Sequence, residues 1–455
     1  MLISILVSVI FFSIYGFEVD IVNIQLYIAF IILLSPFLLY KDLFHPLVVY
    51  SLFQSLFLID MLTKSLEPRM HLEYLTVSSD DAESFLSSSI TLWIIWYLLL
   101  ILGVFLANKI RISNDGFRLG KKNSLNPKIN YPTLIAMIFI FIGFISFLYA
   151  TFVVNNGLAS MLDSMMSRVE TYEGLAYVTY FTQLGVVGSI LLLLKGHKKT
   201  SIVTVIIFLS IISLYGSRGT VLTLLISFIL AYNYIIKRMR VGKLLPVGII
   251  GLIFVQVFGN QRFSGDFSIN NDMNIIDLIV YSASQKSTGD ILPSLVGALE
   301  NNVIGYQLGK DFFNIIFAPI PRSIWEGKPQ IDNTGVIGSL LMGSESYGLP
   351  AGAYGWIYLN FWWIGVIIFG IATGFIVGKI YKLAMKQIRN NEDYIFLFYI
   401  LAVTSFIDIS TTAGQIDILF YFGVIILIKI LDKLLLIFYP IRINSTANYK
   451  RQMGA

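Results

Sequence analysis

Residues 133–154 read Thr-Leu-Ile-Ala-Met-Ile-Phe-Ile-Phe-Ile-Gly-Phe-Ile-Ser-Phe-Leu-Tyr-Ala-Thr-Phe-Val-Val, twenty-two positions without a charged side chain. A helix of that length rises about 33 Å, enough to cross a hydrocarbon core of roughly 30 Å. Similar runs recur on both sides of it. Over all 455 residues the chain is 56% hydrophobic and 13% charged, with a mean hydropathy of +0.77. Hydrocarbon offers backbone groups no hydrogen-bond partner, so runs of this kind cross it as helices. The sequence predicts an all-α integral membrane protein of about twelve transmembrane helices, near 2–17, 21–40, 46–62, 86–107, 133–154, 175–194, 201–216, 218–236, 244–259, 354–378, 394–412 and 416–436.

The run from Leu2 to Phe17 lacks the basic n-region and small-residue cleavage site of a signal peptide and reads as the first span. An even number of spans puts both termini on one face. With that face taken as the cytoplasm, 23 of the 32 Lys and Arg fall inside. The nine outside are Lys64, Arg69, Arg168, Arg218, Arg262, Lys286, Lys310, Arg322 and Lys328. Short cytoplasmic loops of membrane proteins carry such an excess of cations. The net charge of +5 is therefore largely topological, and the basic stretch 108–131 reads as a cytoplasmic connector. The expected organisation is a bundle of about nine helices over 1–258, a large periplasmic loop over 259–353, and about three helices with a cytoplasmic tail over 354–455.

Several chemistries are excluded or disfavoured. Zero cysteines rule out disulfides and thiolate metal sites, and three histidines (His45, His71, His197) give little for a metal centre. No Asp-x-Asp pair, P-loop or dinucleotide fingerprint occurs, so no cofactor is expected. No basic stripe on a soluble module points to nucleic acid. Gly370, Gly374 and Gly378 form a glycine ridge with the spacing of a helix-packing surface.

The expected outer cations supply the candidate site. Arg218 sits in Gly216-Ser-Arg-Gly-Thr220, between two apolar runs joined by a tight hairpin, where an arginine is costly unless it meets water or an anion. Arg262 follows the span that opens the long loop. Arg322 and Lys328 lie in Ala318-Pro-Ile-Pro-Arg-Ser-Ile-Trp-Glu-Gly-Lys-Pro329, a proline-stiffened frame with Trp325 between them. Guanidinium forks match phosphate oxygens, lysine adds a mobile charge, and an indole stacks on a sugar ring. The loop acids offer general bases, but spacing does not choose among them. Apolar residues at 275, 276, 279 and 280, then at Ile291, Leu292, Leu295, Val296 and Leu299, predict one or two amphipathic helices on the membrane surface.

Three of these segments, Gly216-Ser-Arg-Gly219, Pro319–Pro329 and Gly355-Trp-Ile-Tyr-Leu-Asn-Phe361, resemble the O-antigen polymerase (Wzy) family of oligosaccharide repeat-unit polymerases. The resemblance implies a multi-spanning glycosyltransferase of the C-type superclass in the bacterial inner membrane, with its large loop in the periplasm. Its substrates would be donor and acceptor glycans on undecaprenyl diphosphate. Its associates would be membrane lipids, a chain-length regulator and the flippase of the same pathway. Arg218, Arg262, Arg322 and Lys328 would hold the diphosphate and Trp325 a sugar, without a metal. The chain departs from one pattern, Arg-x10-Gly in two loops, since Arg168 is followed at that spacing by Thr179 and Arg322 by Asn333. Related ligases use a histidine in the large loop, and residues 259–350 contain none. The alternatives are a flippase of lipid-linked sugar, against which no internal repeat is visible, and the ligase.

Overall fold

The computed structural model describes residues 20–40, 42–66, 79–109, 129–164, 171–172, 175–239, 288–310, 314, 317, 320, 324–328, 337–338, 351–390, 393–407 and 412–438. Among the described residues there is no strand. The helices in chain order are α1 (Ile21–Leu39), α2 (Pro46–Leu66), α3 (Ser79–Lys109), α4 (Pro132–Tyr149), α5 (Leu158–Asp163), α6 (Ala176–Leu194), α7 (Lys198–Ser213), α8 (Arg218–Ile235), α9 (Thr288–Glu300), α10 (Gly352–Asn390), α11 (Asp393–Ile407) and α12 (Thr412–Phe438), with a π-turn at Ala150–Val154 after α4. Ten of them stand at segments the hydropathy picked out. The expected spans 2–17 and 244–259 lie outside the described residues. Among the described residues, six helices are long and apolar enough to cross a membrane: α1, α2, α3, α4 with its π-turn, α6 and α10. Their outward faces carry bare hydrocarbon, such as Phe141, Phe152, Ile364 and Ile368, as a protein solvated by lipid requires.

The buried apolar residues form two cores. One gathers α1, α2, α3, α9 and the first part of α10, around Trp93, Trp96, Tyr97 and Tyr354. The other gathers α4, α6, α7, α8, α11, α12 and the last part of α10, from Val377 on. Helix α10 thus runs through both. Its 39 residues span about 58 Å at 1.5 Å per residue, nearly twice a hydrocarbon core. The helix breaks at Trp362, whose φ of 53° and ψ of −156° lie outside helical space. The break is filled from the preceding segment: Gln307 N donates to Leu359 O at 3.0 Å and Gly309 N to Asn360 Oδ1 at 3.1 Å.

Lipid tails are as apolar as leucine, so burial alone does not hold membrane helices together; close backbone approach and polar bonds do. Both devices appear. Helices α3 and α10 run parallel and touch through glycine. A Cβ on Gly374 would stand 2.1 Å from Leu100 O, one on Gly103 2.2 Å from Ile371 O, and one on Gly378 2.8 Å from the Ala107 Cβ. The glycine ridge is a packing surface, as its spacing suggested.

One group of polar bonds lies at the end of the bundle that carries Lys195, Lys198, Lys237, Lys379, Lys382 and Lys433, the lysine-rich end. Asp42, between α1 and α2, accepts from Tyr234 Oη of α8 at 2.6 Å and from Tyr381 Oη of α10 at 2.8 Å, joining the two cores. Beside it His45 stacks on Tyr40 at 3.6 Å and meets the Tyr381 ring at 4.6 Å. Burial lowers the His45 pKa to about 3, so the ring is neutral, and its Nδ1 accepts from Leu47 N. Asp432 of α12 accepts from the backbone N–H of Asn130 and Tyr131 at 2.8 and 2.9 Å. It supplies the acceptor that the N-terminus of α4 lacks of its own.

One expectation is overturned here. Ile291, Leu292, Leu295, Val296 and Leu299 do form a helical face, but it does not lie on the membrane surface. All five are 2% exposed or less, packed in α9 against α2, α3 and α10. A Cβ on Gly297 would meet the Phe85 ring at 2.7 Å. Amphipathic spacing shows that one face seeks an apolar neighbour, without saying whether lipid or protein supplies it.

Gly374→Ala is expected to destabilise the protein by about 1–3 kcal/mol through overpacking, read as a lower unfolding midpoint in detergent. Gly423→Ala, where an added Cβ meets nothing within 4 Å, is expected to be neutral or slightly stabilising. An unchanged midpoint for Gly374→Ala would show that α3 and α10 do not meet there.

Candidate functional site

At the opposite end, where α9 is seated, the sequence placed its candidate residues. The segment after α9 docks on the opening turns of α10. The rings of Tyr306 and Tyr358 meet edge to face at 6.1 Å, and Asn360, fully buried, also donates to Trp356 O at 3.0 Å. The Gly355–Phe361 motif is therefore the platform on which the segment after α9 rests.

Beyond it, the described residues of the proline-rich stretch include two tight turns. Ile320 N donates to Phe317 O at 3.0 Å, and Lys328 N to Trp325 O at 3.1 Å. The Trp325 ring stands edge-on to Phe317 at 5.2 Å and 85°. It is 38% exposed, and its neighbour Ile324 78%. Lys328 is 8% exposed, and its Nζ donates to Ile320 O at 2.7 Å. The ammonium thus clasps its own loop, a structural task the sequence did not suggest. Trp325 and Lys328 are brought into one turn. Arg262 and Arg322 lie outside the described residues, as do residues 275–280.

Arg218 is the first residue of α8. The hairpin before it turns through Gly216, at φ 69°, and Ser217 Oγ lies 2.7 Å from Thr220 Oγ1 across the first helical turn. The start of a helix concentrates unpaired backbone N–H groups and a partial positive charge, which suits an anion. The hairpin is anchored by a chain of hydroxyls. Tyr215 Oη meets Thr182 Oγ1 of α6 at 2.9 Å, and the Tyr215 ring packs edge-on to Tyr172 at 5.3 Å. Asn155 Nδ2 donates to Tyr172 Oη at 2.9 Å, and Ser164 Oγ to Asn155 Oδ1 at 2.8 Å. Burial pushes the Tyr172 phenol pKa up, and the bond from Asn155 draws it part of the way back.

Two acids at this end were missed. Asp417 of α12 accepts from Tyr180 Oη of α6 at 2.9 Å and from Ser405 Oγ of α11 at 3.3 Å. Asp60 lies inside α2, 1% exposed, and pairs with Lys64 Nζ at 3.0 Å. The sequence reading ended this span at residue 62 and counted Lys64 among loop cations. The structure carries α2 to Leu66 and buries the lysine. A lone acid in an apolar run with a lysine four residues on was the available signal, since i and i+4 share a helix face.

A family model described as "Putative O-antigen polymerase" matches residues 42–422, most of the chain and most of both cores. The chain belongs to the O-antigen polymerase family. No curated protein and no solved structure matches it. Membership gives the general function, polymerisation of O-antigen repeat units, and implies lipid-linked oligosaccharides as substrates.

Removing one partner of a buried ion pair leaves the other charge uncompensated, at about 3–5 kcal/mol. Lys64→Met is therefore expected to lower folded yield and unfolding midpoint sharply, and Asp60→Asn combined with Lys64→Met to recover most of the loss. Wild-type behaviour of Lys64→Met alone would show that Asp60 does not depend on the lysine.

Proposed function

We propose that this family member joins undecaprenyl-diphosphate-linked repeat units at the periplasmic face of the bacterial inner membrane. A sugar hydroxyl of the acceptor attacks the anomeric carbon of the donor glycan, and undecaprenyl diphosphate leaves. The observation that carries the reading is the family match over residues 42–422, which takes in most of both cores and the loop residues described between them. The histidine-free stretch 259–350 favours polymerase over ligase.

The proposed orientation is twelve spans with both termini in the cytoplasm. Its support is the split of cations and the joining of lysine-rich helix ends through Asp42 and Asp432. The α9 end then faces the periplasm, with the polyprenyl tail between helices and the glycans against the loop. Arg218, Arg262 and Arg322 neutralise the charge that develops on the leaving diphosphate, which removes the need for a metal. Trp325 stacks on sugar. Lys328 holds the loop in shape through its bond to Ile320 O and adds positive charge beside the site.

Loss of the protein is expected to leave lipid A capped with at most one repeat unit, while single lipid-linked units still reach the outer leaflet. Units trapped on the cytoplasmic leaflet would replace this reading with a flippase. Charge-assisted bonds to the diphosphate contribute about 1.5–3 kcal/mol each. Arg218→Ala and Arg322→Ala should therefore each slow polymerisation about tenfold to several-hundredfold, with lysine restoring only part because it lacks the fork. The rate is measured per folded protein on lipid-linked substrate, and wild-type rates for both alanine variants would remove the diphosphate role.

A further inference from the structure

The proposed transfer needs a base for the acceptor hydroxyl, and the described acids differ sharply in fitness for that task. Asp42 and Asp432 sit at the lysine-rich end, bound to tyrosines and to the start of α4. Asp60 is sealed and neutralised by Lys64. Glu300, Glu326, Asp81 and Asp163 are exposed, without the shielding that sharpens a base. Asp417 differs from all of these. It is partly accessible, and each carboxylate oxygen accepts from a hydroxyl on a different helix, Oδ1 from Tyr180 and Oδ2 from Ser405. Each oxygen keeps further lone-pair capacity for an incoming hydroxyl.

Its surroundings fit. Tyr421 of α12, one turn on, donates to Gln183 Oε1 of α6 at 3.3 Å, and Ser405, Tyr421 and Gln183 are buried. The carboxylate is thus fixed by neighbours that are themselves fixed, the condition for a positioned base. Helix α8 packs on α6 and on α11, and α11 packs on α12. With the bonds from α6 to α12, these four helices close a ring. Tyr180, Arg218, Ser405 and Asp417 all lie within two turns of the same end of their helices. The same end of these four packed helices therefore carries both the carboxylate and the helix start that bears Arg218.

We infer that Asp417 is the general base of the polymerisation, oriented by Tyr180 and Ser405. The inference rests on the proposed glycosyl transfer. The Asp417 carboxylate takes the proton of the acceptor hydroxyl as that oxygen forms its bond to the donor's anomeric carbon. The anomeric C–O bond to the diphosphate breaks, and its electron pair departs with undecaprenyl diphosphate. The carboxyl then returns its proton to water.

The test uses full-length protein in lipid nanodiscs with a synthetic polyprenyl-diphosphate-linked repeat unit. Asp417→Asn is expected to lower kcat about 10²- to 10⁴-fold, the usual worth of acid–base catalysis, with KM little changed. Asp417→Glu, which keeps a carboxylate, is expected to retain clearly more turnover than Asp417→Asn. Tyr180→Phe is expected to lower kcat several-fold at unchanged KM. A kcat for Asp417→Asn within about threefold of wild type overturns the assignment. So does an equal loss per folded protein for the Asn and Glu variants, which marks a structural carboxylate. A wild-type protein that makes no polymer from the lipid-linked unit overturns the proposed function, and this inference with it. Polymer from both wild type and Asp417→Asn at similar rates removes only the base.

Discussion

Hydrocarbon supplies no partner for a polar group and no net drive to bury an apolar one. The helices therefore hold together where backbones come close or where a polar group has nowhere else to go. The α3–α10 seam is the first kind, three glycines of one helix against the backbone and small side chains of the other. Four acids are the second kind. Asp42, Asp417 and Asp432 each accept from residues elsewhere in the bundle, and Asp60 binds a lysine one turn away. Each is costly alone in this solvent and stabilising once satisfied, so Asp42, Asp417 and Asp432 specify which segments meet and at what height, while the Asp60–Lys64 pair is settled within α2.

The two ends of the bundle use these bonds differently. At the lysine-rich end they lock: Asp42 accepts two tyrosine hydroxyls at once, and His45 is kept neutral within an aromatic stack. At the α9 end they position. Lys328 closes its loop on Ile320, the hydroxyl chain from Ser164 to Thr182 steadies the hairpin before Arg218, and Tyr180 and Ser405 orient Asp417 while leaving it partly accessible. Under the proposed function, the rigid face is the one turned away from the substrate and the held carboxylate lies on the other.

Legibility in the sequence followed the strength of the physical signal. A run such as 133–154 has one stable form in lipid, and the glycine ridge at 370–378 has one common use, so both were readable. The fate of α9 was not, because lipid and protein present the same apolar partner to its Ile291–Leu299 face. The site was legible as isolated candidates. Trp325 and Arg218 stood out by being expensive or aromatic in an unusual place. Asp417 did not, because its significance lies in hydroxyls that arrive from residues 180 and 405, and sequence spacing carries no trace of such pairings. Lys328 was read by its charge, whereas its burial and its bond to Ile320 O are matters of a turn that spacing does not reveal.

The glycine seam also sets a timetable. Gly103 and Gly374 are separated by about 270 residues, which a ribosome at 5–20 residues per second takes roughly 15–50 s to synthesise. For that interval α3 waits in the bilayer with its contact surface unmet, and the core built on Trp93, Trp96 and Tyr97 lacks its long partner. Until residue 374 is made, the half-made protein therefore presents the small-residue face around Gly103 to lipid or to the insertion machinery instead of to α10.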